Sequence, residues 1–441
     1  MDAVLVRSHQ LKLALSDFVL DAEDELAQAL ETYAALKLRR GSGDNTQQDL
    51  TVDSFTTEGR VGNSSPLDLF IQNHPDLSQS DRELISSWHR SFIGLFAITQ
   101  VLPDGFELMN WLTDKHYIVK PNNAQTQQEM SRLKEGEILL TRISPISDTY
   151  WTFSGPYTQM GKLGKPKLAV AIGNFKENHK NNLYSDAPDL LEEAWQSVSK
   201  YHEQFVDFFG GDEITLPGYQ LNKKIAELQE ILSQKQLEAA GIDPSKSLEE
   251  IAQEAGIEQE DIKAAAAELG ADSKVVEQLF EQKKGTSKMV MPKVELPAEL
   301  KKAEQVTTFS HPRWGQMFLP TYTKAKAILE AEDWQTIEGS EKLIRHYLED
   351  KNINAFIWHR LAQQYPTQLE KVLQTVLQRP FQLESDLNPL LQEYNKPIEP
   401  ELPEIASVPI HLHNLFQEAV VEVSKSKPKS KGQQKPAKGF R

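Results

Sequence analysis

The sequence predicts an α+β protein, predominantly helical, in which a small antiparallel, barrel-like β-rich domain sits among helical modules. Three observations carry this reading. Apolar residues recur at helical spacing over much of the length. Runs of β-branched and aromatic residues separated by short turn signals are confined to residues 92–153. Polar stretches bearing glycine or proline break the 441 residues into several folding units, as a chain too long for one small core requires.

Taken in order, residues 1–40 read as one long amphipathic helix, because Leu15, Val19, Ala22, Leu26, Ala29, Tyr33 and Leu36 alternate spacings of four and three on one stripe. Such a stripe serves either to pack on its own domain or to contact a coiled-coil partner. Residues 41–65 are polar and glycine-bearing and read as a linker. Residues 66–240 read as the β-rich domain with flanking helices. Short helices are expected at 66–73 and 80–90, strands at 92–101, 106–119 (with a turn at Thr113-Asp114), 137–143 and 150–153, and a further strand at 168–172. Helical period returns at 188–209 and 222–240, with Trp195, Val198 and Phe205 on one face of the first.

Residues 241–284 form a compact three-helix cassette of helix-turn-helix type, started by Ser247 as N-cap with Glu250 in the capping-box position. Residues 285–309 read as an extended linker around Pro292 and Pro297. Residues 310–396 read as a helical bundle, with helices at 322–332, 340–348, 353–364, 366–377 and 384–394. Residues 397–423 are a proline-rich segment and a short apolar element, and 424–441 a disordered basic tail.

The formal net charge is −16, yet the tail carries Lys425, Lys427, Lys429, Lys431, Lys435, Lys438 and Arg441 without an acid. Removing it leaves 41 basic against 64 acidic residues, a body that repels nucleic-acid backbone while its tail attracts polyanions weakly. The absence of cysteine excludes disulfides, thiolate metal sites and a cysteine nucleophile. No stretch reaches the roughly 18 apolar residues of a membrane span. Acids stand where a secretory leader would be apolar, so a cytoplasmic protein is expected.

The phrases PLDLFIQNHPDLSQSDRELISSWHRSFIGLFAI, EGEILLTRISPISDTYWTFSGPY and HEQFVDFFGGDEITLPG, within residues 66–237, resemble the amino-terminal region of the SEC-C or YecA-like bacterial proteins, which often end in a SecA-type zinc motif. That motif needs cysteines, so the zinc chemistry does not carry over. The later phrases FSHPRWGQMFLPTY and LNPLLQEY resemble cyanobacterial proteins. The resemblance implies a lineage and no mechanism.

Among candidate sites, the cassette phrase LEEIAQEAGI is similar to helix-turn-helix regulators, but its second helix opens with Glu258-Gln259-Glu260-Asp261 and the cassette is net −6. Phosphate would be repelled, which leaves a docking module or a structural spacer. Residues 161–167 (GKLGKPK) lack phosphate-loop spacing and read as a basic turn. His411 and His413 would share one side of a strand as a metal pair requires, without a third ligand nearby; His346 and His359 fall on separate helices. Asp212-Glu213 reads as a solvated turn.

The loop holding His311, Arg313 and Trp314 groups an imidazole, a guanidinium and an indole between Pro312 and Gly315. Arg and Trp are frequent interface anchors, so the loop is a candidate contact surface; otherwise Trp314 packs into the bundle and Arg313 caps a helix. Neither a nucleophile elbow nor a metalloprotease motif occurs. No catalytic residue, metal or cofactor is expected. The function that follows is a non-enzymatic protein-interaction or assembly factor with a protein partner. The alternatives are a nucleic-acid- or ribosome-associated protein using its basic tail, and an enzyme without a recognisable motif.

Overall fold

The computed structural model describes residues 2–38, 45–122, 128, 130–239 and 289–426. The cassette expected at 241–284 lies outside them, and of the basic tail residues only Lys425 falls inside. The class is α+β with helix predominating. By internal contacts the chain divides into two units, one of Met1–Leu190 with Pro409–Arg441, the other of Leu191–Val408. Residues 66–240, expected as one domain, are therefore shared between two.

In the first unit, α1 (Ala3–Leu20) and α2 (Glu25–Leu38) replace the single long helix. Asp24 caps the second, its carboxylate accepting from the Leu26 N–H at 3.0 Å. Acids read as lying within a helix are a helix boundary, because a short carboxylate competes for backbone N–H groups and favours caps. The expected linker at 41–65 is also corrected. It contains α3 (Asn45–Glu58), which buries Phe55 with Leu11, Leu15 and Val19 of α1 and with Leu67, Phe70, Ile85 and Trp88. The last four come from α4 (Pro66–Asn73), α5 (Gln79–Ser87) and the turn after it. Ser65 starts α4 with a capping box, and Ser78, not Ser80, caps α5.

Five strands follow: β1 (Phe92–Leu102), β2 (Gly105–Asn110), β3 (His116–Lys120), β4 (Ile138–Pro145) and β5 (Trp151–Gly161). Their ladder runs β1-β2-β3-β5-β4 and returns to β1. The expectation of an antiparallel sheet fails at one place, since β3 and β5 pair in parallel. An odd number of strands closed on itself cannot alternate direction all the way round, so one parallel pair is unavoidable. Alternate residues of β1 face opposite ways. Phe92, Phe96 and Ile98 point into the ring with Phe106, Leu108, Val119, Ile143 and Phe153. Ile93, Leu95 and Ala97 point outward. Gly94 is required here, since a Cβ would stand 2.6 Å from the Phe96 ring.

The outward apolar face is covered by α6 (Lys165–Asn178) and by the last helix, Ile410–Ser426. The strand expected at 168–172 thus lies within a helix. Gly164 and Pro166 start that helix, and Leu168, Ala171, Ile172 and Phe175 recur at helical spacing on its buried face.

On another part of the ring the cover is polar. Arg142 of β4 is 2% exposed and pairs with Asp53 (Nε to Oδ2, 3.2 Å) and Glu58, while its Nη2 donates to Ser54 Oγ at 3.2 Å. Lys12 of α1 donates to Ser154 Oγ at 2.5 Å and Ser144 Oγ at 3.2 Å and stands 3.8 Å from Asp53. Ser154 in turn donates to Asp53 Oδ1 at 2.6 Å. Burial, with Arg142 nearby, pulls the Lys12 ammonium down to about 8 against the attraction of Asp53.

The second unit contains most of α7 (Pro188–Phe209), with β6 (Glu213–Leu216) and α8 (Gly218–Ala239). The hairpin β7 (Val306–His311) and β8 (Gly315–Leu319) pairs with β6 into a three-stranded antiparallel sheet, so the expected linker at 285–309 ends inside a strand. The helices α9 (Tyr322–Glu330), α10 (Ser340–Glu349), α11 (Ala355–Gln364), α12 (Pro366–Leu377) and α13 (Leu383–Glu393) fall close to the expected ranges. They enclose Tyr322, Tyr347, Trp358, Leu369 and Leu391 with Phe309 of β7. The last helix is α14.

Replacing Arg142 leaves Asp53 and Glu58 without the guanidinium that neutralises them inside the fold. Arg142→Met is expected to destabilise the first unit by about 3–5 kcal/mol. Arg142→Met with Glu58→Gln should recover part of that loss, measured by urea unfolding of the full chain.

Candidate functional site

The loop singled out by sequence is the turn of the β7–β8 hairpin, in the second unit. Gly315 closes it at φ +70°, a left-handed conformation, and a Cβ there would meet Pro403 at 2.6 Å. The three-residue connection 312–314 followed by a left-handed glycine is a common hairpin geometry. His311 organises it: its Nδ1 accepts from the backbone N–H groups of Arg313 and Trp314, both at 3.1 Å. The imidazole proton then resides on Nε2. The ring packs on Phe356 of α11 with centroids 4.6 Å apart.

Trp314 is half-buried and packs against the bundle core. Arg313 is exposed and caps no helix. Its guanidinium lies 3.9 Å from the centroid of Trp195, a residue of α7. No carboxylate among the described residues pairs with Arg313. The structure thus separates the group, with Trp314 facing inward and Arg313 presented outward on an aromatic platform.

Beneath the turn lies a set of groups that sequence reasoning missed. Arg360 of α11 holds Asp212 in a two-point contact at 2.7 and 3.1 Å and Glu213 at 3.0 Å, and lies 5.3 Å from the Phe309 ring. Asp212-Glu213 is therefore the seat of an ion pair and not a free solvated turn. Arg360 also depresses the Asp212 carboxyl below its ordinary range. His202 of α7 places Nδ1 3.3 Å from Ser310 Oγ, and its ring centroid is 6.5 Å from that of His311. Burial first, and then the neighbouring His202 and Arg360, lower the His311 pKa, with Asp212 opposing. Nothing local in the sequence announces this cluster, since Asp212 and Arg360 are 148 residues apart.

Ser310, His202 and Asp212 have the residue types of an acyl-transfer triad but not its arrangement. Ser310 is buried within β7, and the Asp212 carboxylate is engaged by Arg360. Among the described residues, no group of three or more His, Asp or Glu is placed to hold a metal ion. His411 and His413 lie on α14, not on a strand, and two positions on a helix differ by about 200°. His411 Nε2 instead approaches the Trp111 carbonyl at 2.8 Å. His359 meets Asn388 at 2.7 Å and His346 meets Asp350 at 3.6 Å. Residues 161–167 run from the end of β5 through a three-residue turn, Lys162 to Gly164, into the first turn of α6. In the first unit an open groove of about 470 Å³ is lined by Glu25, Thr32, Tyr33, Phe55 and Arg60. Its Tyr33 hydroxyl donates to Glu58, a carboxylate engaged by Arg142, and its Thr32 hydroxyl to the Gln28 carbonyl.

No protein-family model matches the chain, and no curated protein or solved structure matches it. Among the described residues, no helix is long and apolar enough to cross a membrane. Function is therefore read from the chain's own geometry.

The His311 turn carries its own test. The imidazole is favoured neutral in the fold, so its contribution is fully present above its ordinary pKa of 6.5 and is lost as pH falls through the lowered folded value. His311→Asn keeps an acceptor for the two N–H groups but cannot be protonated. Thermal unfolding should show the second unit of the wild-type chain losing stability below about pH 6.5, and a shallower loss in the variant.

Proposed function

We propose that this chain is a non-enzymatic interaction or assembly factor of the cytoplasm, and that its contact surface centres on Arg313. The observation that carries the proposal is the guanidinium set over the Trp195 indole, 3.9 Å from its centroid, with no acid among the described residues to neutralise it. Stacking restrains the side chain before any partner arrives, and it leaves the N–H edge free to donate. A restrained arginine loses less freedom on binding and offers a two-point contact to a carboxylate. The partner that fits is a protein surface presenting an Asp or Glu side chain beside an apolar group that extends the Trp195 platform.

The surrounding charges support this reading over catalysis. Arg360, Asp212 and Glu213 satisfy one another, and His311 is occupied in bracing the turn. Each polar group near Arg313 thus has a structural task, and the guanidinium is left for recognition.

The nucleic-acid alternative has less support. We read the closed five-strand ring as a small barrel, the strand number of barrels whose β2–β3 face and β1–β2 and β4–β5 loops bind oligonucleotides. Such binding needs a positive track and open aromatic platforms. Here His116 is matched by Glu107 at 3.3 Å and Lys120 by Asp104 at 2.8 Å, so the face presents no excess of positive charge. The remaining basis for that alternative is the lysine tail, nearly all of it outside the described residues.

Arg313→Ala should weaken capture of the protein partner by about 1–4 kcal/mol in affinity and leave the melting temperature unchanged. Arg313→Lys should lose most of the same affinity, because an ammonium neither stacks as flatly nor donates from two parallel edges. Equal capture by wild type, Arg313→Ala and Arg313→Lys in a quantitative binding measurement would remove this surface from the proposal.

A further inference from the structure

The turn that carries Arg313 hangs on one acceptor. The Nδ1 atom of His311 receives the backbone N–H groups of both Arg313 and Trp314, each at 3.1 Å. Phe356 fixes the imidazole in place, with the ring centroids 4.6 Å apart. Arg313 is the middle residue of the connection from β7 to β8, and its own amide is tied to this nitrogen. The guanidinium that lies 3.9 Å from the Trp195 centroid is thus positioned, at its root, by a lone pair. A proton removes that lone pair. Imidazolium carries N–H on both nitrogens and accepts nothing. A proton on Nδ1 would face the two amide hydrogens directly, and three donors cannot share one bond.

We propose that His311 is a proton-operated release for the Arg313 surface: the neutral ring closes the turn and holds Arg313 on Trp195, and the charged ring opens the turn and takes the guanidinium off its platform. This regulation rests on the reading of Arg313 as the recognition residue. The charges around the ring set its threshold. Those acting on it are His202 of α7, Asp212 of β6 and Arg360 of α11. Arg360 is spent on Asp212 and Glu213, and Glu213 also stands 3.7 Å from Lys326 of α9. Glu401 and Glu404 flank the stretch at Pro403 that packs on Gly315 of the same turn, and neither acts on the imidazole. Only Asp212 favours the charged ring. Burial first, then His202 and Arg360, oppose it, so the proton is admitted below the ordinary histidine value. The surface is therefore armed at neutral pH and withdrawn in acid.

The test follows Arg313 in the full chain by NMR, with arginine and tryptophan labelled. On its platform the Arg313 side chain is shifted upfield by the Trp195 ring, and Trp195→Leu identifies that shift. Between about pH 7.5 and about pH 5 the wild-type chain should lose it, with the Arg313 and Trp314 amide signals moving at one midpoint below 6.5. Trp358, in the bundle core, should keep its signals, which separates release from unfolding. His311→Asn puts an amide oxygen where Nδ1 stood and should hold the shift throughout. His311→Gln reaches the Nε2 position instead and should lack the shift at either pH. Benzoate, a carboxylate on an apolar ring, is the probe of recognition. It should move the Arg313 signal of the wild type at the upper pH and not at the lower, and that of His311→Asn at both. An upfield shift that survives to about pH 5 in the wild type, or that titrates alike in His311→Asn, overturns the proposal. A shift that titrates as stated while benzoate never touches Arg313 supports the release and removes the recognition reading instead. If either variant folds poorly, the wild-type titration still decides.

Discussion

Arg142 places a full positive charge on the outside of the strand ring, where it is almost wholly removed from water. An unpaired ion in that position would cost several kcal/mol, so the helices laid over it must bring acids with them. Helix α3 does so through Asp53 and Glu58, and α1 adds Lys12, which stands 3.8 Å from Asp53. The amino-terminal layer is thereby held to the ring in one register. An apolar cover would slide more easily, whereas each of these ions tolerates few positions.

The same logic sorts the other charged side chains. Arg360 with Asp212 and Glu213, Arg90 with Asp186, and Arg379 with Glu393 are internally matched and hold elements within a unit. Arg313 breaks the pattern, since its neighbour is an indole.

Legibility in the sequence followed the range of the forces involved. The bundle helices were readable because each has its own apolar stripe, and β2 and β3 because Pro103-Asp104-Gly105 and Thr113-Asp114 mark their turns. Helix α3 was not, for its polar face looks like a linker until Arg142 and Lys12, far away in sequence, are seen to need it. The break at Asp24 was hidden by an apolar stripe that continues across it. The β7–β8 hairpin is hard to see because the run Val306 to His311 straddles the linker and the edge of the bundle, although Gly315 after a three-residue turn is a usable signal. His311, Arg313 and Trp314 were found from residue type alone. Their division into a brace, a platform-bound cation and a core side chain depends on Phe356, Trp195 and the bundle, which no local pattern reveals.

The central claim is that Arg360, matched by acids, serves the fold, while Arg313, set against an indole, serves a partner. It is tested most directly by measuring thermal unfolding and partner affinity on Arg313→Ala and Arg360→Ala side by side. The account predicts that Arg360→Ala lowers the melting temperature, because it strands Asp212 and Glu213, while Arg313→Ala leaves melting unchanged and loses affinity. An Arg313→Ala chain that melts early, or one that binds as tightly as wild type, would contradict it.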